Sequence, residues 1–155
     1  MNSQTLLQLL LVLHITGFAT LAGIVAADTA IYGRLRKYLI ADKNRALTML
    51  ESSASFAVLI RISAIVIIAS GIGMVSLAPG FSGMLWFKIK MVLVLGIIIN
   101  GAIVGQRLMN RLKGLLNTAI INNVEIDALK GRLSLMYAVQ LLLFIAVFTL
   151  SVFKF

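Results

Sequence analysis

The sequence predicts an all-α integral membrane protein: a four-helix antiparallel bundle forming one domain over residues 1–155, with helices 2–4 extended into the cytoplasm. Three observations predict it. Of the 155 residues, 61% are hydrophobic and 12% charged, where a soluble domain carries about 45–50% apolar and about 25% charged residues. Small soluble domains leave much of their surface in water and cannot hide that excess, so the solvent here is largely lipid. The apolar residues fall into four stretches, 5–31, 55–78, 84–106 and 133–153, each long enough to match the roughly 20 residues that cross a hydrocarbon core. The basic residues gather between these stretches instead of within them.

Taken in order, span 1 (5–31) resembles a secretory signal at first sight, with small residues at Val25, Ala26 and Ala27. It lacks a positive n-region and its apolar run is too long, so it reads as a retained span. The first connection carries Arg34, Arg36, Lys37, Lys43 and Arg45, and Asp42 is placed to cap a helix running into span 2. The link between spans 2 and 3 is short and uncharged, 79–83. Span 3 is expected to continue through Arg107, Leu108, Arg111, Leu112 and Leu115, whose apolar and basic residues separate onto two faces. Asn122 followed by Glu125 resembles a capping box opening the last helix.

The charge map sets the orientation. Ten of the 14 basic residues lie in the two long connections, the second holding Arg107, Arg111, Lys113, Lys130 and Arg132. The positive-inside rule puts both connections in the cytoplasm and both termini outside, as in a multi-pass protein of the bacterial inner membrane. The net charge of +9 is then mostly topology, and the lipid bilayer is the main partner. Nothing supports nucleic-acid binding, because no recognition motif accompanies the charge. With no cysteine, zinc-thiolate sites, CxxC redox chemistry and thiol nucleophiles are excluded. No P-loop, GxSxG, Rossmann fingerprint or HExxH spacing occurs.

Within lipid each ionisable residue is costly, which makes it a functional candidate. Five matter: His14, Asp28, Arg61, Lys88 and Lys90. Asp28 and Arg61 share the inner half with Asn100, Tyr137 and Gln140. Two readings stand: an intramembrane ion pair that sets helix packing, or a polar pocket for a headgroup, quinone or tetrapyrrole carboxylate. Lys88 can snorkel beside Trp86, whereas Lys90, two residues deeper, is expected to point into the bundle. His14, the only histidine, suits a hydrogen bond across helices or a haem ligand, with Met74 or Met91 near enough in depth for a His/Met site. Ala19, Gly23 and Ala27 form a small-residue stripe on span 1, Gly71 and Gly73 loosen span 2, and Gly101 and Gly105 make a GxxxG step. Close packing within one bundle and a homo-oligomer through Gly101/Gly105 are both open readings.

The order of these features resembles the small four-helix bacterial membrane proteins related to the haem-associated protoporphyrinogen IX oxidase, and more distantly the copper-resistance D membrane family. The residues that carry the resemblance are Leu13-His14-Ile15 and the segment Trp86-Phe87-Lys88-Ile89-Lys90-Met91-Val92-Leu93. It implies a haem b ligand at His14, a functional Lys90, and oxidation of protoporphyrinogen to protoporphyrin in the membrane. The family's Tyr-His pair in span 3 falls on Asn100-Gly101 here, and the last span starts Ser134-Leu135-Met136-Tyr137 where the family has an Asn-Glu-x-Pro-like start. A relative that keeps the scaffold and a tetrapyrrole without the oxidase reaction fits these residues better.

The expectation is therefore a haem- or porphyrin-associated binding or redox protein, an oxidoreductase if it reacts. In it His14 is the metal ligand and, with Lys90, the catalytic candidate, while Arg61, Met91 and His14 hold the cofactor or another small hydrophobic ligand. The competing expectation is a non-enzymatic membrane component, an accessory subunit or small oligomer, with its charges paired. A small transporter or channel through the inner polar pocket is the third.

Overall fold

Four long helices, α1 (Ser3–Tyr38), α2 (Lys43–Leu77), α3 (Leu85–Asn117) and α4 (Asn123–Val152), make up the computed structural model, which describes residues 2–39, 41–117 and 123–153. A short 3₁₀ turn, Pro79–Gly83, joins α2 to α3, and no strand occurs among the described residues. All four helices are long and apolar enough to cross a membrane. At 36 and 35 residues, α1 and α2 each exceed by a wide margin the ~20 residues that a bilayer core requires.

The surplus lies at the end where the basic residues cluster, called here the basic end. Extension was expected of three helices, but α1 extends as well, through Tyr38. The reason is packing: Tyr32, Leu35 and Leu39 follow helical spacing and are all buried, so continuing the helix keeps one apolar stripe in contact. α2 starts where expected, with Asp42 Oδ1 accepting the Arg45 backbone N–H at 3.0 Å. In the proposed capping box Asn122 lies outside the described residues. Glu125 sits in the first turn of α4, and its Oε1 accepts from Arg111 Nε at 3.0 Å and from a terminal guanidinium nitrogen at 2.6 Å.

The best-packed core is also at the basic end. Tyr32, Leu35, Leu39, Ala46, Leu50, Leu112, Leu116, Ile126, Leu129, Leu133, Met136 and Tyr137 form one buried cluster drawn from all four helices. Toward the other end the buried apolar residues are far fewer: Ile24, and a cluster of Ile97, Phe144 and Val147, with Phe18 ring-to-ring on Phe144 at 5.6 Å. Water drives apolar side chains together only where water is present; in lipid an exposed Leu or Ile costs nothing. The many exposed leucines and isoleucines of the spans accord with that difference.

Residue numbers rise in one helix as they fall in its neighbour. On α1, Leu10, His14 and Gly17 meet Gly73, Ser70 and Ser63 of α2. Further along α1, Phe18, Asp28 and Tyr32 meet Phe144, Tyr137 and Lys130 of α4. α3 lies against the other side of α4, with Gly96 on Leu143 and Gly105 on Met136. Within α3 the segment Ile99–Gly105 widens into a π-helical turn.

Small residues set these approaches, though not the ones the sequence suggested. Ala19, Gly23 and Ala27 are all exposed, and a Cβ on Gly23 would meet nothing within 4 Å. Their stripe faces away from the bundle, and it is buried Gly17 that lets α1 approach α2. Gly71 and Gly73 do not loosen α2: they form the surface against which His14 and Leu10 rest. Gly101 and Gly105 face Gln140 and Met136 of their own chain.

Candidate functional site

The ionisable and polar residues of the spans separate into three groups. The first joins α1 to α2 at His14. Its Nδ1 lies 3.0 Å from the Ile67 carbonyl oxygen and 3.0 Å from Ser70 Oγ. A carbonyl only accepts, so Nδ1 carries a hydrogen. Ser70 holds its place by donating to the Val66 carbonyl at 2.6 Å. The ring rests on Gly71, where a Cβ would come within 3.5 Å of His14 Cε1. The Lys90 ammonium is close enough for its charge to act on the ring. Lys90 is half-buried and Lys88 exposed, the division expected from their positions about 200° apart on the helix. Nε2 of His14 makes no hydrogen bond among the described residues.

Met91 does not join this group as an axial ligand would. It is 44% exposed and stands about 100° round α3 from Lys90. Arg61 does not join it either. Arg61 is exposed, and its separation of nine positions from Ser70 puts it about two and a half turns away, on the opposite side of α2.

The second group ties α1 to α4. The Tyr137 hydroxyl donates to Asp28 Oδ2 at 2.8 Å, and the Tyr137 ring stacks on Tyr32 at 4.9 Å. Tyr32 in turn donates to the Lys130 carbonyl at 2.7 Å. Asp28 Oδ1 is buried with no hydrogen-bond partner. The expected ion pair with Arg61 does not form: Asp28 faces α4 while Arg61 points outward from α2. Both fall in the inner half, but the α1–α2 register sets Arg61 well over a turn nearer the other end than Asp28, and the two side chains face different ways.

The third group ties α3 to α4. Asn100 Nδ2 donates to the Met136 carbonyl at 2.9 Å and to Gln140 Oε1 at 2.7 Å. Gln140 Nε2 reaches the Ile97 carbonyl at 3.4 Å. The single inner pocket expected from Asp28, Arg61, Asn100, Tyr137 and Gln140 is thus divided. Tyr137 and Gln140, three residues apart on α4, serve different neighbours.

Beside the second group a groove of about 260 Å³ runs between α1 and α4, lined by Thr29, Tyr32, Gly33, Arg36, Ser134, Tyr137, Ala138 and Leu141. Sequence reasoning assigned Arg36 to topology alone. Its signal was the spacing Thr29, Tyr32, Gly33, Arg36, which repeats one face of a helix already marked by Asp28. Among the described residues no three His, Asp or Glu side chains gather closely enough to hold a metal ion. No family model, curated protein or solved structure matches the chain.

Proposed function

We propose that the chain is a multi-pass membrane protein, an antiparallel four-helix bundle with its basic end in the cytoplasm, that binds haem b or a related porphyrin at His14. One observation carries the reading: the Ile67 carbonyl holds His14 Nδ1–H, and Nε2 has no hydrogen-bond partner among the described residues. A backbone carbonyl on one imidazole nitrogen is the arrangement that fixes the tautomer and aims the other nitrogen's lone pair at a metal. Lys90, whose charge already acts on that ring, is placed to meet a propionate. Haem would supply one-electron redox chemistry at this position, with the iron on Nε2. Met91 and Arg61 are not part of the proposed site, and neither is the oxidase reaction. The opposing register of neighbouring helices and the gathering of basic residues at one end support the topology.

The test is the absorption spectrum of the detergent-purified protein before and after adding haem, for wild type, His14→Asn and Lys90→Gln. An Asn amide at position 14 can still donate to the Ile67 carbonyl but cannot take the axial role, which separates ligation from packing. A Soret band in wild type that His14→Asn removes supports binding. A protein that remains colourless after haem addition refutes it and leaves the second reading. In that reading His14 only pins α1 to α2, a role for which the Ile67 bond suffices, and the chain is a non-enzymatic membrane component.

A further inference from the structure

The groove between α1 and α4 is graded along its length. Arg36 stands at its basic end, the stacked Tyr32 and Tyr137 rings and the Ser134 hydroxyl come next, and Ala138 and Leu141 lie toward the spans. Most of its polar hydrogens are already committed. Thr29 donates to the Val25 carbonyl, Tyr32 to the Lys130 carbonyl and Tyr137 to Asp28. Arg36 is the exception: no hydrogen bond or ion pair engages its guanidinium among the described residues. A guanidinium offers five N–H donors in a planar fork matched to a phosphate, and it retains its charge at any physiological pH.

We propose that this groove is a binding site for the phosphate group of a membrane phospholipid. Arg36 grips the phosphate and an acyl chain runs over Ala138 and Leu141. Arg34 and Lys37 flank Arg36 in sequence and Arg132 precedes the groove on α4, while Lys130 is paired with Asp127 at 2.8 Å, so the surrounding field favours a headgroup with net negative charge. A soluble phosphate would satisfy Arg36 but leave the apolar end of the groove unfilled, and for that reason the lipid is the source assigned. Gly33 supplies a clean probe. A Cβ there would meet nothing within 4 Å, so a leucine side chain at this position extends into the groove without displacing the helices.

The experiment is native mass spectrometry of the full chain in detergent, titrated in parallel with phosphatidylglycerol, diacylglycerol of the same acyl chains, and inorganic phosphate. The expected result is retained phosphatidylglycerol that weakens about tenfold in Arg36→Gln, the loss of one good charge-assisted contact. Gly33→Leu weakens it comparably at an unchanged melting temperature. Arg107→Gln, the same charge change on exposed α3, leaves it intact. Diacylglycerol held as well as phosphatidylglycerol overturns the phosphate assignment, and inorganic phosphate binding as tightly as the lipid overturns the lipid source. Equal losses in Arg36→Gln and Arg107→Gln reduce the effect to bulk charge and overturn the site. None of these readouts depends on haem.

Discussion

Replacing Gly17 by alanine adds one methyl group at the closest approach of α1 and α2. Its Cβ would lie 3.0 Å from Ile67 Cγ1, 3.3 Å from Val66 Cγ1 and 3.4 Å from the Ser63 carbonyl oxygen. Both side chains in its way are β-branched and stiff at χ1 in a helix, so they cannot swing aside as a leucine tip could. The helices must instead part by a few tenths of an ångström. Overpacking of this kind costs about 1–3 kcal/mol, and it falls less than one turn from His14, whose 3.0 Å bond to Ile67 spans the same seam. Gly23→Ala is the matched control, since nothing stands within 4 Å of its Cβ; helix propensity alone would make it neutral or stabilising by up to about 1 kcal/mol. The assay is unfolding of the purified protein in mixed micelles, followed by circular dichroism against increasing SDS fraction. Gly17→Ala should unfold at distinctly lower SDS than wild type, and Gly23→Ala at the same fraction or higher. If the two variants shift together, the α1–α2 seam is wrongly placed.

Three further outcomes follow from the same contacts. Arg61→Leu should stabilise the protein in bilayers, because an arginine inside a span with no partner among the described residues costs up to about 2.5–3.5 kcal/mol on insertion scales, the figure for the helix centre; destabilisation in that assay would mean the guanidinium has a partner. Tyr137→Phe removes the donor to Asp28 Oδ2 and leaves a carboxylate whose Oδ1 is already orphaned, so a loss of about 1–3 kcal/mol is expected in the same unfolding measurement. Asn100→Leu and Gln140→Leu should each lose about 0.6–2 kcal/mol, as interhelical hydrogen bonds in membranes do. Because the two side chains bond each other at 2.7 Å, the double variant should lose less than the sum, and strict additivity would count against that bond.

Much of the architecture was legible in the order of the residues. The four spans, the Asp42 cap, the inward turn of Lys90 and the amphipathic continuation of α3 through Leu108, Leu112 and Leu115 each rest on a sum or a spacing along one helix. Such quantities need no neighbour: crossing a bilayer is decided by transfer energy added over about 20 residues, and amphipathicity in water by which residues share a face. The candidate site was legible only in its depths. His14 was placed in the outer half, and Asp28, Tyr137, Asn100 and Gln140 in the inner half, and Asp28 does meet Tyr137 and Asn100 does meet Gln140 at common levels. The extra length of α1 was missed because the stripe Tyr32, Leu35, Leu39 has meaning only once α2, α3 and α4 are present to cover it.

What the tertiary structure alone decided is azimuth. Inside lipid an outward leucine and an inward leucine are equally content, so apolar spans carry no periodic signal to say which face meets a neighbour. That is why Asp28 could be grouped with Arg61 in one inner pocket when it in fact faces Tyr137, and why the stripe Ala19, Gly23, Ala27 could be mistaken for a seam that belongs to Gly17. By composition and charge order the sequence by itself determined that this chain has four membrane-length helices with one basic end. Which few polar atoms then meet, His14 with Ile67, Asp28 with Tyr137, Asn100 with Gln140, was set by helix rotation, a variable on which the hydrophobic effect has no purchase where there is no water.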